Sequence, residues 1–75
     1  MKVVTPFEVA ELNTKISEAG ISCHVHLTDA CGAQSLSLEG EAGACAAARP
    51  LITSFFAERG MEPVFTEAGT FFTLK

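Results

Sequence analysis

The run Ile21 to Thr28, ISCHVHLT, alternates apolar and polar residues. A period of two belongs to a strand with one face buried and one open. Ile21, Cys23, Val25 and Leu27 share one face; Ser22, His24, His26 and Thr28 share the other. Gln34 to Glu39, QSLSLE, repeats the pattern with Leu36 and Leu38 opposed to Ser35 and Ser37. Between the two runs stands Asp29-Ala30-Cys31-Gly32. Asp29 can accept from backbone N–H groups two residues on, and Gly32 can take the positive φ of a hairpin loop of three to five residues. The pair is predicted to be a hairpin that buries one face and leaves the other free.

At 75 residues the chain is near the lower limit for a single core, so the whole of it, 1–75, is expected to form one domain. Thr5-Pro6-Phe7-Glu8 opens a helix: Thr5 can cap, Pro6 fits the first turn, and Glu8 closes a capping box. Val9, Leu12, Ile16 and Ala19 recur at helical spacing, and Gly20 ends the helix. In Gly40 to Pro50, GEAGACAAARP, the alanines favour helix but Pro50 opposes one in its interior. The expectation is a loose helical turn over Ala44 to Ala48, then a helix entered at Pro50, with Leu51, Ile52, Phe55 and Phe56 as its apolar face and Gly60 as its end. Glu62 to Glu67 and Thr70 to Lys75 flank Ala68-Gly69 as a second hairpin.

The order α-β-β-α-β-β is that of a permuted ferredoxin-like chain. It predicts a two-layer α+β domain: a four-stranded antiparallel sheet of order 1-2-4-3, with two helices on one face. Pro63 agrees with this, since a residue without an N–H is tolerated on the edge strand that the third strand would be.

Nine acidic against five basic residues give a net charge of −4, and the bases are scattered at Lys2, Lys15, Arg49, Arg59 and Lys75. A phosphate backbone would be repelled at long range, so no nucleic-acid partner is expected. No run approaches the length of a membrane helix, and the start, MKVVTPFEVAEL, lacks the apolar core of a leader. Three cysteines without a C-x-x-C pair fit a reducing compartment, so the cytoplasm is expected.

The topology places Cys23 opposite the end of the second strand, near Cys45, and Cys31 at the far end of the hairpin, roughly 20 Å away at about 3.3 Å per residue. These thiols cannot share one zinc ion, and strand parity turns His24 and His26 away from Cys23. No metal and no cofactor is expected. P-loop, dinucleotide-binding and nucleophile-elbow patterns are absent, and nothing in the sequence orients a base beside a nucleophile, so an enzyme is the weaker reading.

Two function classes remain. The open sheet face would carry His24, His26, Ser35, Ser37 and Thr73, with one of Val64 or Phe65 and one of Phe71 or Phe72. An uncharged face of this kind points to a binding or regulatory module that forms a homodimer through that face or through the edge of the first strand. The second class is thiol chemistry or capture of a small-molecule ligand at Asp29, Cys31 and Gly32. The helix start at Thr5 should lie at that end, where its free N–H groups would favour a thiolate.

HLTDACGAQSLSLE, with the opening helix, resembles the RDAC family, a small group of bacterial proteins named after this segment. Asp29-Ala30-Cys31 match the naming motif, while Thr28 stands where the family has its arginine. The resemblance covers about a fifth of the chain and implies a stand-alone bacterial domain of this size, with no activity to carry over. It directs attention to Asp29, Cys31 and Gly32, and Thr28 removes the arginine as an anion ligand.

Overall fold

A computed structural model describes residues 4–30, 33–67 and 69–75. Helix α1 (Pro6–Glu18) begins on a complete capping box: Thr5 Oγ1 accepts from the Glu8 N–H at 3.2 Å, and Glu8 Oε1 accepts from the Thr5 N–H at 2.9 Å. Val9, Leu12 and Ile16 form its buried stripe, whereas Ala19 sits exposed at the C-cap. Gly20 leaves the helix at φ +76°, a conformation that costs glycine little, and the Ile21 N–H reaches back to the Ile16 carbonyl.

Strands β1 (Cys23–Ala30) and β2 (Ala33–Gly40) pair antiparallel from Cys23 opposite Gly40 to Ala30 opposite Ala33. Asp29 and Ala30 therefore belong to the ladder rather than to the bend, and strand one starts later than its periodicity suggests. At the other end, Gly40 is required by close approach. A Cβ there would lie 2.4 Å from the Ser22 carbonyl oxygen, and its φ of +142° disfavours other residues.

The largest departure from expectation is helix α2, one continuous helix over Ala42–Ala57 with Pro50 inside it. A proline there removes the hydrogen bond to the carbonyl four residues back and crowds it, at a cost of about 3 kcal/mol. The helix survives because its buried positions keep phase across the proline: Cys45 and Ala48 before it, Ile52, Phe55 and Phe56 after. Burying large apolar side chains is worth about 1.5–3 kcal/mol each, so this stripe outweighs the break. Pro50 itself is exposed, where its ring meets solvent rather than the core.

Strands β3 (Pro63–Phe65) and β4 (Phe71–Leu74) are shorter than the hairpin expected, though a reciprocal pair of backbone bonds between Glu62 and Lys75 extends their pairing. The sheet order is β1-β2-β4-β3 with every neighbouring pair antiparallel. Pro63 begins the edge strand β3, as expected. The fold is thus α+β, a four-stranded antiparallel sheet with two helices.

A single core joins both helices to one sheet face. Cys23, Val25, Leu36, Leu38, Phe72 and Leu74 bury against Val9, Leu12, Ile16, Ile52, Phe55 and Phe56. Arg59 fastens the helices at one end: its guanidinium lies 3.8 Å from the Phe55 ring centre and reaches Glu11 at 3.2 Å and Glu8 at 3.6 Å. Replacing Pro50 by alanine restores the missing helical hydrogen bond on an exposed position. Because alanine also frees the unfolded chain that proline restricts, the net gain is about 1–2 kcal/mol, and Pro50→Ala is expected to raise Tm by about 5–10 °C in thermal denaturation followed by circular dichroism.

Candidate functional site: the open face of the sheet

Strand parity turns the residues between the core positions toward the side away from the helices. Across the ladder His24 faces Glu39, His26 faces Ser37, Thr28 faces Ser35, Ser37 faces Phe71, and Val64 faces Thr73. The structure therefore brings His24, His26, Ser35, Ser37 and Thr73 onto one surface. His24, His26 and Thr73 are exposed, and Ser35 and Ser37 are half-buried between their neighbours.

Two adjacent apolar pairs were ambiguous by alternation, and the register resolves them. Phe72 is buried and Phe65 packs partly beneath it with ring centres 5.1 Å apart, while Val64 and Phe71 stand on the open face at 47% and 52% exposure. Those are large exposures for apolar side chains lying on the same face. Val64, Phe71, Thr66 and Thr73 border a shallow hollow of about 420 Å³, with Phe65 and Phe72 beneath and Ser35 at its side.

The only ion pair on this face among the described residues is His24 Nε2 to Glu39 Oε1 at 3.5 Å, both side chains more than half exposed. Such a pair contributes under about 1 kcal/mol and only when the imidazole is protonated. No side-chain hydrogen bond among the described residues joins a histidine to a hydroxyl, and no group of three or more His, Cys, Asp or Glu among them could hold a metal ion. The face offers apolar contact at Val64 and Phe71 and hydrogen-bonding side chains around them.

The edge of β1 has a guard that the sequence did not announce. Asn13 of α1 uses both ends of its amide on Val25: Oδ1 accepts from the Val25 N–H at 2.6 Å and Nδ2 donates to the Val25 carbonyl at 2.9 Å. These are the groups that an added strand would pair with on a free edge. Gln34 makes the same two-bond clamp on Val4, at 2.9 Å each way, and holds the segment before α1 beside the hairpin. Since Gln34 pairs with Asp29, the start of α1 does lie at the bend end of the hairpin. The only hint of Asn13's role in sequence is an amide in mid-helix, where its propensity is poor. Asn13→Ala is expected to lower unfolding stability by about 1–3 kcal/mol in urea titrations, since it strands both Val25 groups.

Cys23 and Cys45 meet in the core as the topology suggests. Both are free thiols, and Cys23 Sγ donates to Cys45 Sγ at 3.1 Å. Burial first, and then the neighbouring Cys45, push the Cys23 thiol up from 9.0 to about 12. The unfolded thiol ionises first, so this effect is complete below about pH 9 and is lost as pH rises toward 12. Stability should accordingly fall above pH 9, with a slope that Cys23→Ala reduces in urea titrations run at a series of alkaline pH values.

Of the second candidate, Cys31 and Gly32 lie outside the described residues; Asp29 is placed by its backbone in β1 opposite Gln34. No helix among the described residues is long and apolar enough to cross a membrane. Comparison with protein-family models, with curated proteins and with solved structures finds no match to this chain.

Proposed function

We propose that this chain is a small binding module of the cytoplasm that works as a homodimer, with the open sheet face as its contact surface. The observation that carries this reading is the pair Val64 and Phe71, half-exposed around a shallow hollow on a face otherwise made of Ser, Thr and His with Glu39 beside His24. Exposed apolar groups gathered on one face, with few charges among them, are the mark of a contact surface.

A second copy suits this face better than other occupants. The chain carries a net charge of −4, so two copies repel each other over most of their surfaces. The acids Glu8, Glu11 and Glu18 lie on α1, and Glu41, Glu58 and Glu62 flank α2 and β3. On the open face Glu39 is already beside His24, so two such faces can meet with little like-charge contact. Edge pairing through β1 is disfavoured, because Asn13 already occupies the Val25 backbone groups.

The test is the mass in solution of wild type, Phe71→Glu and Ser37→Glu, measured by light scattering and native mass spectrometry. Wild type is expected at twice 7.9 kDa, and both variants at 7.9 kDa with little change in Tm, because the replaced side chains lie outside the core. A wild-type monomer at the highest soluble concentration, or dimeric variants, would overturn the reading. A monomer that retains a small molecule would reassign the hollow to ligand binding.

A further inference from the structure

We propose that Cys23 and Cys45 form a reversible dithiol–disulfide pair that fastens α2 to β1, with a low-molecular-weight disulfide as the oxidant. The geometry is an Sγ···Sγ separation of 3.1 Å between thiols carried by two different elements, 22 residues apart in sequence. Both residues are 7% exposed, so their side chains are held by the core. A bonded pair needs about 2.05 Å, about 1 Å closer than the two sulfurs now stand.

An approach route accompanies the pair. Cys23 lies on the wall of a surface cavity of about 490 Å³, with Asn13, Ser17 and Ser22 among its other walls and His24 and Glu39 also bordering it. The cavity brings a small disulfide to the edge of β1 beside Cys23; at 7% exposure the thiol itself is reached through local opening there, with Cys45 Sγ 3.1 Å away.

The exchange runs in two balanced steps. The Cys23 thiolate attacks one sulfur of the external disulfide; a Cys23–external S–S bond forms, the external S–S bond breaks, and one external thiolate leaves. The Cys45 thiolate then attacks Cys23 Sγ, the internal S–S bond forms, and the second external thiolate leaves. The two protein thiols are oxidised, the external disulfide is reduced to two thiols, and the two protons pass to those thiols.

Two neighbouring buried cysteines can also serve simply as small apolar residues, and the experiment separates the two roles. The Cys31→Ser protein is incubated folded with oxidised glutathione over a pH series from about 7 to 10, and the rate should climb with pH because burial and Cys45 keep the Cys23 thiol protonated at neutral pH. Intact mass and peptide mapping should show loss of two hydrogen atoms and a Cys23–Cys45 link. Tm should rise by about 10 °C, because the closed loop restricts the unfolded chain, and dithiothreitol should reverse both changes. Cys45→Ala should instead stop at a glutathione adduct on Cys23; should that variant not fold, the peptide map of the Cys31→Ser protein decides alone. A link that forms only in denaturant, an adduct on Cys23 that Cys45 never resolves, or a linked form with unchanged Tm would each overturn the proposal.

Discussion

Phe56 against Phe72 is the contact on which the rest of the fold depends. Both rings are buried, with centres 6.1 Å apart, and Phe72 continues to Phe65 while Phe56 meets Phe55 edge-on. Strand β4 lies between β2 and β3, so the chain that leaves β2 must cross the sheet before β3 and β4 can form. That crossing is α2, and the ring cluster is what holds it down. The requirement explains why Pro50 does not divide the helix. Breaking α2 there would free the stripe Cys45–Ala48 from the phase of Ile52, Phe55 and Phe56, and burial of that stripe is worth more than one lost hydrogen bond.

One-sided burial is the price of so small a chain. Two short helices cover a single face of the sheet, and with both spent on one side the other stays open. On that face the sequence supplies Ser, Thr and His where a solvated surface would carry Lys and Glu, and the register adds Val64 and Phe71. Most of the acids lie on the helices and connections, with Asp29 on β1 and Glu39 on β2. Phe7 stands alone on α1 at 86% exposure, whereas Val64 and Phe71 lie together around one hollow, and it is this clustering that supports the proposed association through the sheet.

The edges show how side-chain amides substitute for strands. Asn13 closes the Val25 groups of β1 and Gln34 closes those of Val4, each with two hydrogen bonds. Among the described residues no buried side-chain nitrogen or oxygen lacks a partner, so the core carries no polar debt to be settled by a ligand. Cys23 and Cys45 are the two free thiols inside it, and their position between β1 and α2 ties them to the same packing that holds the crossing helix.

Local periodicity sufficed for much of this. The capping box of Thr5 and Glu8, the alternation in Cys23–Leu27 and Ser35–Leu38, and the placement of Pro63 on an edge are all readable from neighbouring residues, because caps and pleats depend on spacings of two to four. The element order was enough for the sheet order and for the approach of Cys23 to Cys45. Four features needed the assembled structure. Phe65 with Phe72 turned inward, and Val64 with Phe71 outward, because adjacent apolar residues satisfy either parity and only pairing with β2 fixes the register. Asp29 and Ala30 joined β1 because ladder bonds with β2 outweigh their turn preference. The continuity of α2 across Pro50 was set by burial of its stripe in the core between the helices and the sheet. Asn13 found Val25 only when α1 packed on β1, since a contact between backbone groups and a distant amide leaves no period in the sequence.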